Sequence, residues 1–274
     1  MRIMITGNMG YVGPGVVQHL KASFLSSKIV GVDSGIFGHC LTADYHPERR
    51  IDSQVYLDVR DIDEEMLEGI DAIVHLAAVS NDPMGLRYEA VTEEVNQNAT
   101  IRLAEMAARR GVKHFVFASS CSVYGFANGS ARSEEDAVNP LTAYARSKVG
   151  AEIGLKRVAG NSDIVVTALR FATACGFSSR TRLDLVLNDF VASALATRHI
   201  AVLSDGTPWR PLIHVSDMAR AIEWAIIRPA LSDDRFLAIN VGRDDWNYQV
   251  AELAEAVSSL IPGNIRQNQQ QRPA

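Results

Sequence analysis

Tyr144 and Lys148 stand four residues apart in Tyr144-Ala145-Arg146-Ser147-Lys148, within a stretch of helical character. Positions i and i+4 share a helix face, so a phenol and an ammonium placed there point the same way. A free tyrosine has a pKa near ~10, too high for a general base at neutral pH. A neighbouring ammonium favours the phenolate and lowers that value. Taken alone, Y-x-x-x-K is common by chance and fits a surface pair equally well. A partner comes from Ala118-Ser119-Ser120-Cys121-Ser122-Val123-Tyr124-Gly125, which follows an apolar run that reads as a strand. Open parallel sheets place their ligands at strand C-termini, where the Ser120 hydroxyl can bond a reacting oxygen beside Tyr144.

A second constellation lies near the N-terminus. Arg2–Thr6 reads as a strand and runs into Gly7-Asn8-Met9-Gly10-Tyr11-Val12-Gly13, with a helical pattern behind it. Glycine permits a tight turn and close backbone approach to a pyrophosphate, and the helix N-terminus offers free N–H groups to the anion. Pro14 is tolerated in the first helical turn, where no intrahelical N–H bond is lost. Asp33 ends the second strand, 20 residues after Gly13. A carboxylate there accepts bonds from an adenosine ribose and repels a 2′-phosphate, so NAD is expected rather than NADP. The positive nicotinamide ring of that cofactor further favours a Tyr144 phenolate. Gly7, Gly10, Tyr11, Val12, Gly13 and Asp33 are thus cofactor candidates, with Tyr144 and Lys148 at the nicotinamide end.

The elements that must position these groups alternate. Strand candidates are Arg2–Thr6, Lys28–Val32, Gln54–Leu57, Ala72–His75, His114–Ala118 and Ile164–Leu169. Helical patterns run over Val12–Phe24, Tyr88–Arg110 and Ala143–Val158. Continuous apolar strands alternating with helices predict an α/β fold, a doubly wound parallel sheet of Rossmann type. After Arg170 the rhythm loosens into a helix at Asp184–Thr197, a strand at Ile200–Leu203, a helix at Ser216–Ile227, a strand at Phe236–Val241 and a helix at Tyr248–Leu260. The expected division is a cofactor domain over 1–170, joined again by 210–242, and a small C-terminal substrate lobe from 171–209 and 243–274. The polar, Gln-rich tail Asn264–Ala274 is expected to be frayed.

Composition excludes other classes. The 274 residues are 47% apolar and 22% charged, ordinary for a folded chain rather than a disordered or fibrous one. A net charge of −5 without a basic run argues against nucleic-acid binding. No apolar run reaches the ~20 residues of a membrane span, and Arg2–Thr6 already reads as a strand rather than a signal peptide, so a cytoplasmic protein without a membrane partner is expected. Cys40, Cys121 and Cys175 are odd in number and lack C-x-x-C spacing, so neither a disulfide framework nor a metal site is expected.

Taken together, these motifs resemble the NAD-dependent nucleotide-sugar epimerase/dehydratase family of extended short-chain dehydrogenases, from Met1 to about Leu260. The resemblance implies that Ser120, Tyr144 and Lys148 match the catalytic Ser/Thr, Tyr and Lys, with Ser120 preferred to Ser119 because it lies five residues before the Gly of V-Y-G. It implies that Asp58 and Val59 lie near the adenine, that Leu76, Ala77 and Ala78 line the cofactor, and that Asn96 is the family's N-x-x-G/A-T asparagine. His75 resembles a family position too, but reads as a packed core histidine. On the substrate side the pattern R-D-x-I-H-V-x-D-x-A puts Arg210 on a diphosphate, for which a planar guanidinium is suited, although a solvated loop arginine is the bland alternative. Asn188 resembles a residue that binds the nucleotide phosphates, and Asp217 reads as a helix cap. Ser80-Asn81-Asp82 and Ser122 are expected to face the sugar. The resemblance also implies a homodimer, built through the helices Tyr88–Arg110 and Ala143–Val158; the alternative is that these simply pack on the sheet.

Three departures stand out. Thr173 replaces the family's Asn in R-x-F-N-x-x-G, Pro211 replaces the Asp after the substrate arginine, and the substrate lobe is short, either reduced or truncated. Family reactions begin with Tyr144 taking a proton from a sugar hydroxyl while NAD takes the hydride, which leaves a 4-keto sugar. Dehydratases and decarboxylases of the family carry carboxylates directly after the catalytic hydroxyl residue, where this chain has Cys121 and Ser122. The expectation is therefore an epimerase acting at C4. The alternatives are a 4-ketoreductase, an atypical dehydratase, and a non-catalytic NAD-binding protein.

Overall fold

The computed structural model describes residues 1–80, 87–126, 131–230, 234–263 and 265–269. Seven parallel strands form the main sheet in the order β10-β6-β5-β4-β1-β2-β3. They are β1 (Arg2–Thr6), β2 (Lys28–Asp33), β3 (Ser53–Tyr56), β4 (Ala72–His75), β5 (His114–Ser120), β6 (Val165–Phe171) and β10 (Phe236–Val241). Chain order reverses between β1 and β4, and that switch point opens a crevice at the carboxyl ends of both strands.

Alternation along each strand feeds two cores. Met4 of β1 faces one side with Leu103, Ala107, Leu155 and Val158, while Ile3 and Ile5 face the other with Val16, Leu20, Met218 and Ile222. The first side is covered by α3 (Ala99–Arg109) and α4 (Ala143–Gly160), with the short α2 (Glu89–Glu93) packed on α4; the second is covered by α1 (Gly13–Ser23) and α6 (Val215–Ile227). Burying each large aliphatic side chain contributes roughly 1.5–3 kcal/mol, which is why the strands read as continuous apolar runs. The expected doubly wound parallel sheet is the fold of this chain.

A third core joins α5 (Val186–Thr197) and α7 (Val250–Leu260) through Phe190, Ala194, Leu253 and Val257. Beside it lie a three-stranded sheet of β7 (Thr173–Cys175), β9 (Trp209–His214) and β11 (Asn247–Gln249), and a two-stranded one of β8 (His199–Val202) and β12 (Arg266–Gln269).

Several local expectations are corrected. The expected helix 88–110 is interrupted by a π-helical turn, Glu94–Asn98, between α2 and α3. Such turns often mark functional sites, and this one carries Asn96. Strand β9 escapes a sequence reading because Pro211 sits inside it, and β7 and β11 are too short to show a period. The tail is not frayed throughout, since 266–269 pair in parallel with β8, Gln267 opposite Ile200. The backbone ladder there needs no apolar side chain. The Gln267 amide adds bonds to the Ser258 hydroxyl at 2.7 Å and the Ala254 carbonyl at 3.3 Å. Finally, His214 rather than Asp217 caps α6, its Nδ1 accepting from Ser216 N–H at 3.2 Å, while Asp217 pairs with Arg220.

Candidate active site

At the end of β1 the chain turns through Gly7, whose φ is +74°. A methyl group on Gly7 would lie 2.5 Å from the Ala77 nitrogen, so the turn presses against the exit of β4. One on Gly13 would come within 2.6 Å of the Asn8 Cα, and Gly10 N–H bonds back to the Gly7 carbonyl at 3.1 Å. The turn is therefore as tight as its side chains allow, with the N-terminus of α1 directly behind it. The Asp33 carboxylate accepts from Met9 N–H at 2.9 Å and from Gly35 N–H at 2.8 Å. Each oxygen keeps a second lone-pair direction for ribose hydroxyls. Asp58, by contrast, is forked onto Arg60 through two 2.9 Å bonds and caps the short turn Val59–Asp61. Its carboxyl is held below the usual range by those Arg60 bonds. Val59 is buried in the first core, with Ala77 packed at its edge. Glycines, Asp33 and the small residues Ala77 and Ala78 fit an NAD diphosphate and adenosine.

The residues after β4 are anchored from below. His75 is 1% exposed and lies between Thr6 Oγ1 at 2.7 Å and Thr100 Oγ1 at 2.8 Å. Thr100 donates its proton to the Asn96 carbonyl, so it must accept from His75 Nε2–H, and Nδ1 is left to accept from Thr6. The histidine is thereby a neutral core residue. Burial, aided by the charge of Lys148, pushes its pKa down to about 3. In the unfolded chain it protonates near ~6.5, so the unfolded state binds the extra proton as pH falls. Stability gained from the neutral ring is full above pH ~6.5 and is progressively lost toward pH 3, on the order of 4 kcal/mol in all. Urea midpoints measured between pH 7 and pH 4 should fall with that slope, and a His75→Gln protein should show a flatter one.

Asn96, fully buried, exchanges two bonds with the Val79 backbone, accepting at 2.8 Å and donating at 2.9 Å, and donates a third to Ser147 Oγ at 3.1 Å. It thus ties the Leu76-Ala77-Ala78 segment to the helix that carries Tyr144 and Lys148.

That helix, α4, starts at a Thr142 cap whose hydroxyl accepts from Ala145 N–H at 3.1 Å. Close packing on α3 is set by Gly154, where a methyl group would run into Ile101. The Lys148 side chain is 2% exposed, its Nζ donates to the Ala118 carbonyl at 2.8 Å, and it lies 5.5 Å from the Tyr144 ring centre and 4.6 Å from that of Phe117. Burial pulls its pKa down to about 7, against the opposing pull of the Glu152 carboxylate. Tyr144 is half-buried at the crevice. Ser120, at the end of β5, accepts from Ser122 N–H at 3.2 Å and starts the turn Cys121–Tyr124. Its neighbour Ser119 is buried and bonds Glu152 at 2.5 Å, so of the two hydroxyls Ser120 is the accessible one. Burial pushes the Cys121 thiol up to about 11, with the Arg210 charge pulling the other way.

The substrate side contains a group that the sequence reading missed. Arg182 forks onto Asp184 at 2.9 and 2.5 Å and donates to Ser80 Oγ at 2.9 Å. Its bond to Ser80, just beyond the Leu76-Ala77-Ala78 segment, puts this cation by the crevice. Burial pulls its pKa down, and the Asp184 bonds, with smaller help from the Tyr144 and Tyr11 phenols, raise it above the ordinary value. No motif marks it, because Arg182 follows β7 in a loop without a periodic pattern. Tyr11 donates to the Gly176 carbonyl at 2.6 Å and accepts from Asn188 at 3.0 Å, and burial pushes its phenol up to about 12. Asn188 also accepts from Gly176 N–H and donates to the Arg182 carbonyl, so its amide braces the 176–182 loop against the glycine turn. Arg210 is exposed on β9, Thr173 is half-buried on β7, and the Ser122 hydroxyl is buried with no hydrogen-bond partner among the described residues. Asn81 and Asp82 lie outside the described residues. Among the described residues there is no cluster of ligands for a metal and no helix long and apolar enough to cross a membrane.

Comparison with known proteins agrees with this geometry. The NAD dependent epimerase/dehydratase family matches residues 3–242. The chain is 28% identical over 257 residues to the uncharacterized UDP-glucose epimerase YtcB of Bacillus subtilis, across 88% of this chain and 77% of that protein. It is also 28% identical to the UDP-glucose 4-epimerase of Mycolicibacterium smegmatis, across 81% and 72%. The structure of MoeE5 in complex with UDP-glucuronic acid and NAD superposes with a TM-score of 0.85 at 26% identity, over 98% of this chain and 85% of that one.

Proposed function

Since the chain belongs to the NAD-dependent epimerase/dehydratase family, and is thereby an NAD-dependent enzyme, we propose that it is a nucleotide-sugar epimerase acting at C4 through a transient 4-keto sugar. The observation that carries this reading is the buried Lys148 ammonium against the Tyr144 ring, beside a Ser120 turn whose next residues, Cys121 and Ser122, offer no carboxylate for eliminating water.

In this reading Tyr144 accepts the proton of the C4 hydroxyl and Ser120 bonds the same oxygen, holding it as the carbonyl forms. NAD, held by the glycine turn and Asp33, would supply the hydride acceptor for C4 and the donor for its return to the other face. Lys148 stabilises the phenolate before the proton arrives. Gly7, Gly10, Tyr11, Val12, Gly13, Asp33, Asp58, Val59, Leu76, Ala77, Ala78 and Asn96 hold or back the cofactor. Arg210 takes the substrate diphosphate, and Ser80, Ser122 and Thr173 face the sugar. Asn188, its amide spent on the 176–182 loop, acts on the phosphates through that loop. The division into a 1–170 domain with 210–242, and a lobe of 171–209 and 243–274, belongs to the same proposal. A cytoplasmic homodimer does too, supported by Ile153 on α4 and Val91 on α2, which stay 60% and 42% exposed.

The test is a panel of UDP-, GDP-, dTDP- and CDP-sugars incubated with the protein. The UDP-sugars come first, because the similar proteins named above carry that nucleotide in their names. Interconversion of two sugars differing at C4, with no net change in NADH, is the expected result. Loss of water from the sugar would transfer the protein to the dehydratases, and stoichiometric consumption of added NADPH to the ketoreductases.

A further inference from the structure

Tyr144, Lys148 and Glu152 follow one another at intervals of four residues, so the three side chains lie along one face of α4. Beneath the first two, the third builds a charged network inside the protein. Glu152 is 6% exposed and Arg170, on β6, is 8% exposed. The Arg170 Nε approaches both carboxylate oxygens at 3.1 and 3.2 Å, and its second amino nitrogen bonds Oε2 at 2.7 Å. The Ser119 hydroxyl donates to Oε1 at 2.5 Å. On the far side the Arg170 fork bonds Tyr124 Oη at 2.8 Å, and that hydroxyl donates to the Asn240 side chain on β10 at 2.7 Å.

We infer that Glu152 is a positioning residue for the reaction proposed above: its carboxylate, clamped between Arg170 and Ser119, keeps the Lys148 side chain charged and holds the end of β5 in register with α4. Two consecutive residues of β5 are attached to α4 in this way, Ala118 by Lys148 and Ser119 by Glu152, and the next residue is Ser120. A shift of that strand end therefore moves the Ser120 hydroxyl relative to the helix that carries Tyr144.

Several elements pack around Lys148. From β5 it meets the Phe117 ring and the Ala118 carbonyl, from β4 the neutral His75, and from its own helix the Tyr144 ring. Arg182, across the crevice near Tyr144, is forked onto Asp184. Glu152 is the anion that supports the ammonium from within the protein, against burial that pulls the lysine down to about 7. Replacing that carboxylate with an amide removes the attraction and uncovers the Arg170 guanidinium behind it. With the ammonium less favoured, the Tyr144 phenol loses the charge that favours its ionisation and stays protonated over a wider pH range.

The test reads the Tyr144 phenol directly, by ultraviolet difference titration of the NAD-loaded protein against its own Tyr144→Phe counterpart. In Glu152→Gln the ionisation midpoint should move up by about one pH unit. With an epimerisable sugar, kcat at neutral pH should fall about tenfold, narrow its deficit as pH rises, and leave KM nearly unchanged. Glu152→Asp, which keeps the charge, should stay near the parent midpoint. The double variant Glu152→Gln/Arg170→Gln, which removes both charges, should return part of the way and serves if the single variant does not fold. An unmoved midpoint in Glu152→Gln, or in the double variant if only that one folds, overturns the inference. So does a loss of kcat that is equal at every pH. The titration uses no substrate, so it can fail while epimerisation is found and succeed where epimerisation is absent.

Discussion

Tyr144→Phe should keep its NAD and lose about a thousandfold in kcat. General-base catalysis by a positioned side chain contributes roughly 10²–10⁴-fold, and a loss of ~10³ corresponds to about 4 kcal/mol of barrier. The substitution removes one oxygen and leaves the rest of the arrangement standing. The ring that Lys148 approaches at 5.5 Å remains, as does the Ser147 bond to the Tyr144 carbonyl. The glycine turn and Asp33 have bonds of their own, Gly10 N–H to the Gly7 carbonyl and Met9 and Gly35 N–H to the Asp33 carboxylate. Cofactor released by denaturation and measured by absorbance should therefore match the parent in amount, while single-turnover interconversion of the sugar collapses. A variant that turns over at the parent rate removes Tyr144 from the reaction and leaves the family membership intact.

Gly13→Ala should lose its cofactor instead. A methyl group there is driven into the backbone of Asn8, within 2.6 Å of its Cα. Asn8 has nowhere to withdraw. It is 3% exposed, its amide bonds Gln54 at 2.7 Å, and its side chain fills the space beside Gly31. The turn must open, and overpacking of this kind costs about 1–3 kcal/mol. The same distortion moves the N–H groups that would face the diphosphate, so NAD affinity should fall by about thirtyfold or more, the equivalent of ~2 kcal/mol. The control is Gly160→Ala, at the last residue of α4, where an added methyl group meets nothing within 4 Å. That variant should melt at or slightly above the parent temperature and bind NAD normally. Titration with NAD and thermal melts of the three proteins decide the matter. A Gly13→Ala protein that retains the parent affinity would show that the diphosphate rests elsewhere.

Both variants fall on residues whose importance was legible before any coordinates. The glycine turn is local: a strand, a bend that admits no side chain, and a helix start lie within a dozen residues. The Tyr144–Lys148 pairing is local as well, because a helix brings i and i+4 together whatever surrounds it. Alternating strands and helices also declared the doubly wound sheet, since parallel strands buried on both faces must be apolar throughout.

What only the folded chain decided are the meetings across long stretches of sequence. Arg182 reaches Ser80, which is 102 residues away, and comes near two phenols that no spacing rule connects to it. Asn96 resembled a family position, but that its amide fastens Val79 to Ser147 depends on a π-helical turn inside a pattern that reads as one continuous helix. The Glu152–Arg170 pair joins a helix to a strand and looks, in sequence, like two ordinary surface charges. Residues 266–269 become a strand because β8 offers an open edge to their backbone, not because their polar side chains ask for one. Local backbone preferences and periodicity are written in neighbouring residues. The electrostatics of a buried charge depend on what lies within a few ångströms of it, and that is set by packing.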